Sequence, residues 1–158
     1  MTEFLVTSSL EPLKKGEQFE KELPRHVTVL QWFSVPYEQA FINSLQNLAA
    51  RTEPFEITAG EEALFGPNND VPVRVLRRIG RLAAIHSDIL AIVARQAGEV
   101  RNPQWAGDNY HPHITYVDGC ALEENETAVL DNLELIRREE GEKLKTVVSA
   151  LKMTGDRR

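Results

Sequence analysis

The sequence predicts an α+β fold, a largely antiparallel sheet with helices packed on one side and the opposite face open. Three observations carry that expectation. Hydrophobic residues make up 42% and charged residues 27% of a 158-residue chain, which suits one ordinary domain with its own core. About seven runs rich in β-branched and aromatic residues are separated by turn signals. Two further stretches carry the apolar stripe of a helix, and helices laid on one face are the natural packing for such a sheet.

Phe4 to Ser9 reads as the first strand, followed by a charged loop from Glu11 to Lys21. Arg25 to Phe33 is the second strand. Ser34 and Pro36 are placed to start a helix, because proline lacks an N–H that the first turn would leave unpaired. Phe41, Leu45 and Leu48 form its buried stripe, and it ends before Pro54. Phe55 to Phe65 and Val71 to Ile79 are two strands around the turn Gly66-Pro67-Asn68-Asn69-Asp70. Leu82, Ile85, Ile89, Ile92 and Val93 stripe a second helix that Gly98 would stop. An irregular loop from Asn102 to Pro112 leads to a strand from His113 to Val117. The tail reads as a hairpin, with arms Leu133–Arg138 and Leu144–Leu151 around Glu140-Gly141-Glu142. Leu122 to Leu130 carries no assignment.

Composition also limits function. The net charge is −6, from 24 acidic and 18 basic residues, so the broad positive footprint of a duplex-DNA binder is missing. No apolar run reaches the roughly 18 residues that span a bilayer. No signal peptide is visible at the start, and the single Cys120 has no internal disulfide partner. A cytoplasmic, monomeric protein is the expectation.

The informative feature is a small motif that occurs twice, His26-Val27-Thr28-Val29 and His113-Ile114-Thr115-Tyr116. Side chains alternate faces along a strand, so each motif offers an imidazole and a hydroxyl on one face, backed by apolar residues on the other. An imidazole is a base when neutral and an acid when protonated. Two of them across one phosphorus could take a proton from water and give one to the leaving oxygen. The hydroxyls of Thr28 and Thr115 could donate to the non-bridging phosphate oxygens. This scheme needs no metal. One His-x-Thr triplet has negligible specificity, and a lone strand histidine is more often structural. A matched pair in β-like runs is much harder to obtain by chance.

On Pro24-Arg25-His26-Val27-Thr28-Val29 and Pro112-His113-Ile114-Thr115-Tyr116, the chain resembles the two-histidine (2H) phosphoesterase superfamily, the 2′-5′ RNA ligase-like and cyclic phosphodiesterase enzymes. The resemblance implies a bilobal fold over residues 1–158, two antiparallel-rich sheets forming a central cleft with helices outside. It implies metal-independent hydrolysis of 2′,3′-cyclic phosphates of nucleotides or short RNA ends, giving a 2′-phosphate in much of the family. His26 and His113 would be the catalytic pair, Thr28 and Thr115 the phosphate-binding pair, and no cofactor is called for. Two alternatives stay open: 2′-5′ joining of RNA ends, and a module that binds phosphorylated nucleotides or RNA without turnover.

Other residues are candidates for substrate contact. Arg74, Arg77, Arg78 and Arg81 cluster before the second helix. On a strand Arg74 and Arg78 would share a face and could offset substrate charge, although charge runs usually face water. Trp105 and Tyr110 lie in the loop before the second motif, where aromatics can stack on a base. His111 would share the face of His113 if the strand extends back through Pro112. His111-Pro112-His113 could also chelate, but zinc would need further ligands at a recognisable spacing. His86 reads as a boundary residue of the core, and Cys120 as packing rather than reacting.

Overall fold

The computed structural model describes residues 1–155; the last three residues of the expected 1–158 domain lie outside the described residues. In chain order the elements are β1 (Thr2–Ser9), β2 (Gln18–Phe19), β3 (His26–Ser34), α1 (Glu38–Ala50), β4 (Phe55–Phe65), β5 (Val71–Arg77), α2 (Gly80–Arg95), β6 (Glu99–Val100), β7 (His113–Thr115), β8 (Thr127–Leu130), β9 (Asn132–Glu139) and β10 (Lys145–Lys152). Two short 3-10 turns, Pro103–Trp105 and Gly107–Asn109, sit in the loop before β7. No helix among the described residues is long and apolar enough to cross a membrane.

The strands form one antiparallel sheet in the order β2-β10-β9-β1-β3-β7-β5-β4-β8, with β6 also on β3. Its middle is a narrow seam, because β3 meets β7 through the single pair Val27↔Ile114. On one side of the seam lie β3, β1, β9 and β10; on the other lie β7, β5, β4 and β8. The two expected sheets are thus halves of one curled sheet. Each half presents the strand of one His-x-Thr motif at the seam.

Both helices pack on one face. Phe41, Leu45 and Leu48 of α1 and Leu82, Ile85, Ile89 and Ile92 of α2 close over Phe4, Val6, Val27, Val29, Ile114, Leu133 and Leu135. Burial of this kind contributes about 1.5–3 kcal/mol per large apolar side chain. The opposite face is not bare throughout. In the first half, loop residues Leu13 and Leu23 cap Leu5, Ile136 and Val147 in a second, smaller core.

Several boundaries differ from the sequence reading for local reasons. α1 starts at Glu38, not at Ser34, because Ser34 stays in β3 paired with Glu99 and Tyr37 remains extended. β5 stops at Arg77 because Arg78 takes a left-handed φ of 53° to turn the chain into α2. The left-handed residue after α2 is Ala97, with φ of 56°. Gly98 serves a different need: a Cβ there would meet the Ser34 carbonyl oxygen at 2.5 Å. The unassigned stretch holds β8, an edge strand paired to β4. Only Leu130 of its four residues is buried, so no alternating pattern is long enough to announce it.

Candidate active site

Strand alternation builds the site. Val27, Val29 and Ile114 are buried under the helices, while His26, Thr28, His113 and Thr115 are half-buried on the other face. Continuing the antiparallel register from Val27↔Ile114 sets His26 opposite Thr115 and Thr28 opposite His113. Directly opposed Cβ atoms lie about 4.5–5.5 Å apart and diagonal ones about 7–8 Å apart. The two imidazoles therefore occupy one diagonal of a small square, with the hydroxyls on the other. That separation leaves room for one tetrahedral phosphate between them.

Both imidazoles are oriented in the same way. His26 Nδ1 lies 2.8 Å from the Pro24 carbonyl oxygen, and His113 Nδ1 lies 2.8 Å from that of His111. A carbonyl only accepts, so each Nδ1 carries the proton and donates it, leaving Nε2 free to exchange a proton when the ring is neutral. Phe65 meets the His113 ring edge-on, with centroids 4.7 Å apart. Burial lowers the pKa of both rings below the ordinary 6.5, against the raising effect of the backbone bond. The charge of His113 lowers His26 further, and that of His111 lowers His113. Two rings that disfavour simultaneous charging suit a pair in which one is neutral and one protonated.

Thr28, His113 and Thr115 line a cavity of about 860 Å³, and His26 stands beside it across the β3–β7 seam. Three other candidates also line it: Trp105, Tyr110 and His111. Arg74 and Arg78 do not. Arg74 pairs with Ile114 and so projects to the face away from the motifs, where its guanidinium donates to the carbonyls of Leu122 and Gly60 and to the Tyr116 hydroxyl. Arg78 is an exposed turn residue. The structure removes both from the pocket. It adds a wall absent from the sequence reading: Leu64, Phe65, Asn69 and Val71 of the β4–β5 hairpin, with Gln31 of β3. The turn signal announced that hairpin, but nothing local says that it leans over the motifs.

His86 is more than a boundary residue. Its Nδ1 donates to the Val29 carbonyl at 2.6 Å and its Nε2 accepts the Gly107 N–H at 2.9 Å. Tyr110 stacks on the ring at 4.0 Å and donates its hydroxyl to the Thr28 carbonyl at 2.8 Å. These contacts fasten the loop that carries Trp105, Tyr110 and His111 to the motif strand β3. Among the described residues, no group of three or more His, Cys, Asp or Glu side chains is gathered to hold a metal ion.

The sequence model of the 2′-5′ RNA ligase superfamily matches residues 8–155. None of the curated proteins matches the chain. Among solved structures, TT0787 of Thermus thermophilus is similar at 18% identity and a TM-score of 0.61, over 98% of this chain and 100% of that one. E. coli LigT complexed with NADP+ is similar at 14% identity and a TM-score of 0.64, over 97% of this chain and 98% of LigT. Identities this low speak for the fold alone. With the family match running over nearly the whole chain, the two-motif protein belongs to the 2′-5′ RNA ligase superfamily, the two-histidine phosphoesterases.

Proposed function

We propose that the protein hydrolyses 2′,3′-cyclic phosphates of nucleotides or short RNA ends, using His26 and His113 as a general acid/base pair. One observation carries the reading: both His-x-Thr motifs converge on one face at the β3–β7 seam, imidazoles diagonal to one another. Water attacks phosphorus and passes its proton to Nε2 of the neutral ring. The bond from phosphorus to one ribose oxygen breaks, and that oxygen takes the proton from Nε2 of the charged ring. The two rings exchange protonation states, and solvent resets them. Thr28 and Thr115 donate to the non-bridging oxygens, where charge grows. No step uses a metal. Trp105, Leu64, Phe65 and Val71 offer an apolar wall on which a base can stack. The same fold in E. coli LigT has been crystallised with phosphate and with 3′-AMP, which supports a nucleotide end as ligand.

The test is hydrolysis of nucleoside 2′,3′-cyclic phosphates in excess chelator by wild type, His26→Ala and His113→Ala. Each substitution is expected to cost about 10²–10⁴ in rate, the usual contribution of one positioned proton-transfer group. Full activity in either variant, or loss of wild-type activity on chelation, rejects the mechanism. Binding without turnover would make the protein a recognition module. Parallel incubation of a cyclic-phosphate end with a 5′-hydroxyl end would reveal joining, in which the hydroxyl takes the place of water.

A further inference from the structure

The cavity beside the motifs is walled by apolar side chains, carboxamides, hydroxyls and imidazoles. Among the described residues, no Lys, Arg, Asp or Glu lines it. Apolar surface gathers there: Leu64, Trp105 and Val71 are 54%, 57% and 38% exposed, three of the seven large apolar side chains that the described residues leave open. Such a concentration marks a place that a ligand covers. The polar groups left to meet a base are neutral, the carboxamides of Gln31, Asn69 and Asn109, which donate and accept. The cations that flank the motifs are turned elsewhere. Arg25, next to His26, is held by Glu11 and the Ala121 carbonyl. Arg77 of β5 is held by Asn125 and Glu124. A net charge of −6 gives the whole molecule no long-range attraction for a polyanion.

We infer that the cavity is built for a single nucleotide, a nucleoside 2′,3′-cyclic phosphate whose base lies on the apolar wall and whose one negative charge sits at the paired histidines. A second phosphate on the 5′ oxygen of the same ribose, as in an RNA end or a 5′-phosphorylated nucleotide, is selected against. The inference rests on the hydrolytic reading above and chooses among its substrates. The charged ring of the pair matches the single charge of a cyclic phosphodiester. The further imidazole, His111, competes with that ring, because its charge opposes protonation of His113. A phosphate on the 5′ oxygen stands within one nucleotide of the motifs and meets neutral walls. A charge brought from water into such surroundings is costly unless a cation pairs with it. Proteins that hold a strand line its phosphates with positive groups, whereas stacking of a base needs no charge.

The experiment compares kcat/KM for adenosine and cytidine 2′,3′-cyclic phosphates, their 5′-phosphorylated counterparts and the dinucleotides that end in them, over a series of salt concentrations. The mononucleotides are expected to be preferred by about tenfold or more, near the low end of what one uncompensated polar group costs. Their salt dependence should be shallow. Equal or better use of the 5′-phosphorylated or dinucleotide substrates overturns the inference, as does a salt slope that steepens by about −0.7 for each added phosphate. Gln31→Lys puts a cation within about one Debye length of the whole cavity. It should narrow the gap for the 5′-phosphorylated substrates through KM, and Gln31→Met should not. A gap that the lysine leaves unchanged overturns the electrostatic account. If the wild type turns over no cyclic phosphate, the proposed function fails. Calorimetric binding of adenosine 2′-phosphate and adenosine 2′,5′-bisphosphate then tests the selection by itself: weaker binding of the bisphosphate upholds it, and equal or tighter binding overturns it.

Discussion

At the scale of single residues, the proposed chemistry falls to two threonines and two histidines, and the orientation of both rings is fixed by backbone carbonyls that leave Nε2 free. The Thr28 carbonyl is held by Tyr110, so removal of its side chain leaves that anchor in place. Thr28→Ala is therefore expected to lower kcat by about 10²–10³, the loss typical of one oxyanion donor, or about 2.7–4 kcal/mol. Thr28→Ser should recover most of it. Steady-state kinetics beside a thermal melt checks this, and an unchanged kcat would take Thr28 out of the phosphate role. A second expectation concerns pH. Both rings are lowered below 6.5, chiefly by burial. In free enzyme, then, the form with one charged ring is most populated on the acid side of 6.5, and kcat/KM should peak there. Bound phosphate favours the cation and should move the kcat profile upward. A kcat/KM maximum above pH 7.5 would contradict this assignment.

At the scale of elements, the motif strands were readable because their information is local: His26 and Thr28 share a face whatever the rest of the chain does. The helical stripes and the tail hairpin were readable for the same reason. Arg74 was misplaced because spacing alone gives its face relative to Arg78, not relative to the motifs; only the pairing of Arg74 with Ile114 decides that. Glu134 shows a sharper limit. In sequence it is the one acidic residue of the hairpin arm Leu133–Arg138, and its partners Thr7 and Ser9 lie at the other end of the chain. His86 is another such case, since its partners Val29 and Gly107 come from separate elements. Its double role gives a prediction for the loop. Nε2 can accept from Gly107 only when the ring is neutral, and burial lowers the His86 pKa below 6.5. The bond is present above 6.5 and is lost as pH falls through the lowered value. After correction for intrinsic rates, amide exchange at Gly107 to Tyr110 should be faster at pH 5 than at pH 7.5. In His86→Phe that pH dependence should vanish. Equal protection at both pH values in wild type would show that the ring does not gate the loop.

At the scale of the whole molecule, the candidate site and stability are joined through the protons that the fold binds. Three histidines, His26, His86 and His113, have pKa values lowered by folding. Each contributes stability that is present above 6.5 and lost as pH falls through its lowered value, because the unfolded chain then binds more protons. Glu134 has the opposite sign. Its carboxyl rises from 4.5 to about 7, so the native state binds the extra proton between those values. The stability it lends is complete below 4.5 and disappears as pH rises through 7. A displacement of that size corresponds to about 3 kcal/mol. In wild type the two trends oppose one another between pH 5 and 6.5. Glu134→Gln removes the falling component. The difference in unfolding free energy between the variant and wild type, taken from denaturant titrations at a series of pH values, should therefore move in favour of the variant by about 3 kcal/mol from pH 4.5 to pH 7.5. The unpaired amide nitrogen that glutamine would bury is equally costly at every pH, so it offsets the difference without changing its slope. Parallel curves across the whole range would mean that Glu134 is ionised throughout, and that the carboxyl behind the first motif is a fixed charge, not one that titrates near neutrality.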